Sequence, residues 1–305
     1  MAQTEGQNGD VSAPASISAK SKFLIGLIGE GIQGSRSPAL HEEEARHQGL
    51  ALHYRLIDLA QGGQTVADLP RLIESAEAMG FAGLNITHPC KQAVLPLLDE
   101  LSEEARAIDA VNTVVFREGR RKGFNTDRAG FAIPFREKLA DAPRQSVALI
   151  GAGGAGSAVA YALLESGTER LFIVDRDEAR AKALARRMTA RFPDRLLISS
   201  NEASSVAKRA DGIVHATPTG MASYPGLPFD ASLLRPEMWV AEVVYVPLET
   251  ELLRAARGRG CRTLDGGGMA VWQAVEAFRH FTGIKPDAAR MEAHFRRMVA
   301  GEPKR

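Results

Sequence analysis

Apolar and polar positions follow two rhythms along this chain. Phe23-Leu24-Ile25-Gly26-Leu27-Ile28 is a nearly continuous apolar run that meets Gly29, which predicts a buried strand entering a turn. Residues 38–48 have helical spacing, 51–57 read as a strand, and 66–79 predict a helix closed by Gly80. Phe81–Ile86 reads as the next strand. Two short helical pieces follow, then strands at Asn112–Arg117 and Arg121–Asn125. A helix at Arg128–Leu139 runs into the break Asp141-Ala142-Pro143, after which the pattern restarts. Ser146–Ile150 is a strand, Gly151–Gly156 a glycine loop and Ser157–Ser166 a helix. Leu171–Val174 is again a strand and Glu178–Arg191 a helix. Further strands are expected at Leu196–Ser199, Gly212–His215, Trp239–Val244 and Arg262–Leu264, with closing helices at Met269–Phe281 and Asp287–Val299. Alternating β and α elements predict an α/β fold of mostly parallel sheets covered by helices.

The restart predicts two αβ domains, which 305 residues accommodate at roughly 150 each. The first spans 22–128 and is completed by the terminal helices, 268–305. The second, 129–267, is of the Rossmann dinucleotide-binding type, and a cleft between the two is expected. Residues 1–21 are small and polar and predict a disordered tail. They lack the basic start and apolar core of a secretory signal. No run approaches the roughly 18 apolar residues of a membrane span. Hydrophobic residues make up 45% and the formal net charge is +1, so neither nucleic acid nor an anionic membrane has an electrostatic claim as partner. The two cysteines, Cys90 and Cys261, form no disulfide framework or Cys-rich zinc site and suit a reducing cytoplasm. His41 and His88 lack metal-ligand spacing, so no metal is expected. The composition leaves a homodimer open.

Gly151-Ala152-Gly153-Gly154-Ala155-Gly156 matches G-x-G-x-x-G, a weak signal alone. An apolar strand before it, an Ala-rich helix after it and an acid ending the next strand strengthen it. The glycines permit a tight turn and close approach to a pyrophosphate, and the helix N-terminus offers free N–H groups. Gly151, Gly153, Gly154, Ala155 and Gly156 are therefore cofactor-binding candidates. Asp175 stands 19 positions beyond Gly156, where a carboxylate can accept hydrogen bonds from a ribose and repel a 2′-phosphate. That favours NAD over NADP. Arg176 and Arg180 pull mildly the other way, since guanidinium groups grip phosphate.

The densest polar cluster elsewhere is Asn85-Ile86-Thr87-His88-Pro89-Cys90-Lys91. It follows an apolar strand, so Asn85, Thr87 and Lys91 should lie near the strand's carboxyl end, where open α/β sheets bind ligands. Gly34-Ser35-Arg36-Ser37-Pro38 precedes it; Ala110-Val111-Asn112-Thr113 and Gly123-Phe124-Asn125-Thr126-Asp127 follow it. Ser37 before Pro38 reads as a helix N-cap with proline at the first helical position, and a helix N-terminus with two hydroxyls is an anion site. Together with the glycine loop, Ala216-Thr217-Pro218-Thr219-Gly220-Met221, Asp265-Gly266-Gly267-Gly268-Met269 and Gln273, these motifs resemble the shikimate dehydrogenase family across nearly the whole chain after the tail. Asp175 and the wording Ile86-Thr87-His88-Pro89 are similar to its NAD-dependent quinate/shikimate branch.

The resemblance implies reversible oxidation of one ring hydroxyl of a cyclic polyhydroxy carboxylate, shikimate or quinate, to the 3-dehydro product. It implies Lys91 as the proton-transfer residue, with Asp127 as its partner in a dyad whose titration belongs to the pair. Ser35 and Ser37 match the substrate-carboxylate positions, with Tyr245 a weaker candidate there. Thr87, Asn112 and Gln273 match hydroxyl-binding positions. Thr217, Pro218, Gly220, Met221, Val243, Gly266 and Met269 are expected on the cofactor side. Cys90 replaces a usual aromatic residue and could widen the pocket near Lys91. His215 replaces a usual Asn and could alter the loop under the nicotinamide. An NADP-dependent biosynthetic shikimate dehydrogenase and a nucleotide-binding sensor without turnover are the alternatives.

Overall fold

The computed structural model describes residues 22–300; the expected tail at 1–21 and residues 301–305 lie outside the described residues. The first half of the chain contains β1 (Lys22–Gly29), α1 (Ser37–His47), β2 (Ala51–Asp58), α2 (Leu69–Ala78), β3 (Gly83–Ile86), α3 (Cys90–Ala93), β4 (Glu100–Leu101), α4 (Glu103–Ile108), β5 (Thr113–Arg117), β6 (Arg120–Phe124) and α5 (Asp127–Lys138). The second half contains β7 (Ser146–Ile150), α6 (Gly154–Glu165), β8 (Arg170–Val174), α7 (Glu178–Arg191), β9 (Leu196–Ser200), α8 (Ala203–Ala207), β10 (Gly212–His215), β11 (Trp239–Glu242), α9 (Glu251–Gly258), β12 (Arg262–Leu264), α10 (Gly267–Thr282) and α11 (Ala288–Ala300).

Two six-stranded sheets result. The second, ordered β12-β11-β10-β7-β8-β9, is parallel throughout. Its central strand β7 is buried on both faces, which is why Ser146–Ile150 reads as an unbroken apolar run after its first residue. Val147 and Leu149 join the core under α5, α6 and α7, while Ala148 and Ile150 join the opposite core under α8 and α9, as the two-residue period of a strand requires.

The first sheet, ordered β2-β1-β3-β5-β6-β4, is mixed within an architecture that is mostly parallel, as expected: β1 pairs parallel with β2 and β3, and β4 with β6. β3 pairs antiparallel with β5, and β5 with β6. Glu118 and Gly119 join β5 to β6 with φ of 54° and 71°, and two positive-φ residues are what a two-residue hairpin uses. The terminal helices pack on this sheet's side of the molecule. Ala277 and Phe281 of α10 meet Ile25, Leu27 and Tyr54, and Met291 and Phe295 of α11 meet Leu40 of α1. The buried Glu44 carboxylate of α1 accepts two bonds from Arg290 of α11, both at 2.7 Å.

Candidate active site

Lys91 lies on α3, just past the carboxyl end of β3. Its Nζ donates to Asp127 Oδ2 at 2.5 Å, and Asn112 Nδ2 donates to Asp127 Oδ1 at 2.9 Å. Asp127 is buried, at 4% exposure, while the Lys91 side chain keeps 17%. The carboxylate is held from its own backbone too: Asp127 N–H donates to Asn125 Oδ1, and Asn125 Nδ2 donates to the Ala110 carbonyl. Asn112 Oδ1 accepts from Thr126 N–H at 2.8 Å. Asp127 is the first residue of α5, behind the N-cap Thr126, and its two carboxylate oxygens take the bonds from Lys91 and Asn112.

Asn85 is committed on both sides. Its Nδ2 donates to the Asn112 carbonyl and Thr113 Oγ1, and its Oδ1 accepts from the Tyr54 hydroxyl at 2.8 Å. It therefore ties β2 and β5 to β3 behind the site. Thr87 is half-buried, with its methyl against Gly29, where a side chain would collide with it.

The turn of Ser35 and Ser37 differs from the expected cap. Arg36 already has helical angles, φ −88° and ψ −5°, so Ser37 is the first helical residue and Arg36 the cap position. The chain enters the helix one residue early. It is Ser35 Oγ that accepts from Ser37 N–H, at 3.3 Å. Both serines are half-buried. Burial pushes the Tyr54 and Tyr245 phenols up. Beneath them His41 Nδ1 lies 2.8 Å from the Ser37 carbonyl and donates to it. Burial holds His41 down at about 4, so the ring is neutral near pH 7. Tyr54 escapes sequence reading: it is one buried residue between exposed His53 and Arg55, with no motif to mark it.

The other candidates fall into place unevenly. Gln273 is half-buried and donates to the Ala270 carbonyl in its own helix. Met269 is 7% exposed and belongs to the core with Phe131 and Ala160. Cys90 does not open the pocket: it is fully buried in the core with Ile86 and Val94, and burial pushes its thiol up to about 11.

In the glycine loop each position has its own reason. Gly151 has φ of 111°, and a side chain there would come within 2.5 Å of the Ala216 carbonyl oxygen. α6 begins at Gly154, three residues before the expected start at Ser157, and at Gly156, inside its first turn, a side chain would collide with the Gly151 carbonyl oxygen. Gly153 faces open space, and no protein atom explains the missing side chain. Open space at a helix N-terminus fits a bound dinucleotide pyrophosphate. Asp175 Oδ2 accepts from Ala152 N–H at 2.8 Å and Oδ1 from Asp177 N–H at 2.9 Å, which fixes the carboxylate at the end of β8. Arg176 is exposed, and Arg180 pairs with Asp177 at 3.3 Å. The loop after β10 folds onto this one: Thr217 Cγ2 stands against Gly151, Pro218 O accepts from Met221 N–H, and Gly220 turns with φ of 93°. Gly266 packs against the carbonyls of Val243 and Val244 so closely that a side chain would meet both at 2.5 Å.

Three sequence profiles match in order along the chain. They are described as shikimate dehydrogenase substrate binding domain over residues 27–114, shikimate/quinate 5-dehydrogenase over 135–222, and shikimate 5'-dehydrogenase C-terminal domain over 266–294. A relative from Streptomyces avermitilis named shikimate dehydrogenase (NADP(+)) is 56% identical over 273 residues, 89% of this chain and 94% of the relative.

The chain belongs to the shikimate dehydrogenase family.

Another member of that family, the quinate/shikimate dehydrogenase (NAD(+)) of Corynebacterium efficiens, is 51% identical over 276 residues, 90% of this chain and 97% of the relative. Quinate dehydrogenase from Corynebacterium glutamicum, solved in complex with NAD, superimposes with a TM-score of 0.83 at 48% identity, covering 90% of this chain and 99% of that one. The family makes this chain an oxidoreductase. Among the described residues no cluster of three His, Cys, Asp or Glu could hold a metal ion, and no helix is long and apolar enough to cross a membrane.

Proposed function

We propose that this protein is an NAD-dependent quinate/shikimate dehydrogenase, interconverting a ring hydroxyl of shikimate or quinate with the ketone of 3-dehydroshikimate or 3-dehydroquinate. The observation that carries the reading is the Lys91–Asp127 pair, braced by Asn112 and seated against Gly154 of the glycine loop. Residues 22–128 with 268–305 hold the polyol in this reading, and 129–267 hold the cofactor.

When bound, the nicotinamide supplies the hydride acceptor. Gly151, Gly153, Gly154, Ala155 and Gly156 would hold its pyrophosphate and Asp175 its ribose. Thr217, Pro218, Gly220, Met221, Val243 and Gly266 would line the far end. The chain's own work is binding and proton handling. Ser35, Ser37 and Tyr245 hold the substrate carboxylate. Thr87, Asn112 and Gln273 meet the ring hydroxyls, where an analogue lacking one leaves a protein group unpaired. As the carbon loses its hydride, Lys91 accepts the hydroxyl proton. In the reverse direction the Lys91 ammonium returns it to the ketone oxygen. Asp127 keeps Lys91 Nζ aimed and hydrogen-bonds the same hydroxyl.

Asp175 supports NAD, since its fixed carboxylate repels a 2′-phosphate. The Streptomyces relative named for NADP(+) favours a second reading, the NADP-dependent shikimate dehydrogenase. Both cysteines are unpaired and buried, which suits the cytoplasm. Initial rates with quinate and shikimate, each paired with NAD and NADP, test the proposal. Turnover with NAD on both polyols supports it, and turnover confined to NADP with shikimate favours the second reading.

A further inference from the structure

His215 ends β10 and Glu242 ends β11, and the two are register partners in neighbouring parallel strands. Both side chains are fully buried. His215 Nδ1 stands 3.0 Å from each Glu242 oxygen, and its Nε2 stands 2.5 Å from Thr217 Oγ1. Glu242 also accepts from Val244 N–H at 3.0 Å and from the Thr250 hydroxyl at 3.2 Å. Thr217 Oγ1 in turn accepts from Thr219 N–H at 3.3 Å.

The donors and acceptors settle the direction of this chain. The Glu242 oxygens already accept from Val244 N–H and the Thr250 hydroxyl, so His215 Nδ1 is the donor to them. Thr217 then donates its hydroxyl to Nε2 and keeps a lone pair for Thr219. Every buried polar atom along the path is satisfied, which is the condition for a rigid network rather than a costly one. The loop it tethers, 216–221, lies directly against Gly151. An asparagine at 215 could occupy the Nδ1 place and keep Glu242 paired, but it is too short to reach Thr217.

We propose that His215 is a positioning residue for cofactor binding: through Thr217 it locks the loop after β10 against the glycine loop, with Glu242 and Thr250 as its anchor. This rests on the dinucleotide-binding reading above. It assigns His215 no contact with cofactor or substrate.

Calorimetric titration of the full-length protein with NAD and NADP tests it. His215→Asn and Thr217→Val should each weaken binding of the preferred dinucleotide about five- to tenfold, the worth of one buried hydrogen bond. The double variant should be no weaker than the worse single, because both remove the same link. In His215→Asn, KM for the polyol should stay within about twofold. Wild-type affinity in His215→Asn, or single effects that multiply in the double variant, would overturn the proposal. If the wild type binds neither dinucleotide, the functional reading fails first and this one with it. Imidazole ¹⁵N spectra provide a check that needs no folded His215 variant. Adding NAD to the wild type should shift one Nδ1-protonated histidine, and Thr217→Val should shift the same resonance. If NAD perturbs no such histidine, the proposal is wrong.

Discussion

Gly154, the first residue of α6, lies against the stem of Lys91: a side chain at 154 would sit 3.0 Å from both Lys91 Cβ and Cδ. The glycine loop and the residue proposed to transfer the proton thus share one contact surface. Gly154 has no positive φ and stands in a helix, where alanine is intrinsically favoured over glycine. Gly154→Ala should therefore leave the melting temperature unchanged or raised while displacing Lys91. A shift of a few tenths of an ångström at a catalytic group should lower kcat by about tenfold. Melting curves and steady-state rates on one preparation check this; unchanged kcat would separate the two residues functionally.

Gly153 and Gly156 make an opposed pair. Gly153→Ala meets no protein atom, so the fold should persist while dinucleotide affinity falls by about tenfold or more. Gly156→Ala drives a methyl into the Gly151 carbonyl and should cost the fold itself. Circular dichroism with nucleotide titration distinguishes the outcomes.

Asp175 braces the loop through Ala152 N–H, and in the proposed function it also repels a 2′-phosphate. Asp175→Asn removes the charge and retains an acceptor. The ratio of kcat/KM for NAD to that for NADP should fall by about tenfold or more, with Arg176 and Arg180 nearby to grip the phosphate. Rates with both cofactors measure the ratio directly.

Stability should decline on acidification for two reasons of the same sign. Burial lowers the folded His41 to about 4 from 6.5, so the unfolded chain takes up its proton first and stability falls from about pH 6.5 towards 4. Glu44 is also held below its ordinary value: bonds from Arg290, Asp287 N–H and Gln48 outweigh burial, the largest single influence, which pushes it up. That contribution is present above the ordinary glutamate range and is lost as pH falls through the lowered one. Urea denaturation from pH 7 to 4 should show the decline, and His41→Asn should flatten the part between 6.5 and 4. Glu44→Ala, which strips the buried anchor from Arg290 of α11, should cost about 2–3 kcal/mol at pH 7.

The site was most legible where chemistry is local in sequence. Gly151–Gly156 announces a strand–turn–helix because its neighbours on both sides carry the right periods, and Lys91 stands out through the polar cluster around it. The end of a helix is read less well: Ser37 before Pro38 looks like a cap, and only the backbone angles of Arg36 move the boundary. α9 was missed although Thr250 caps it and Leu252, Leu253 and Ala256 form its buried face, because eight residues give the period barely two turns to register. Partners distant in the chain leave no pattern at all. Tyr54 reaches Asn85 across 31 positions, and His215 meets Glu242 across 27, through sheet register that local periodicity does not encode.

Lys91→Ala is the most direct test of the proton-transfer assignment, with kcat and substrate affinity measured on the same protein. Asp127 and its bonds to Asn112 and Asn125 remain in that variant, so the polyol should still bind, within about tenfold of wild type by calorimetry. Turnover should fall by about a hundredfold or more, the usual worth of a positioned acid–base group. Near-normal kcat in a folded Lys91→Ala protein would contradict the catalytic role of the pair.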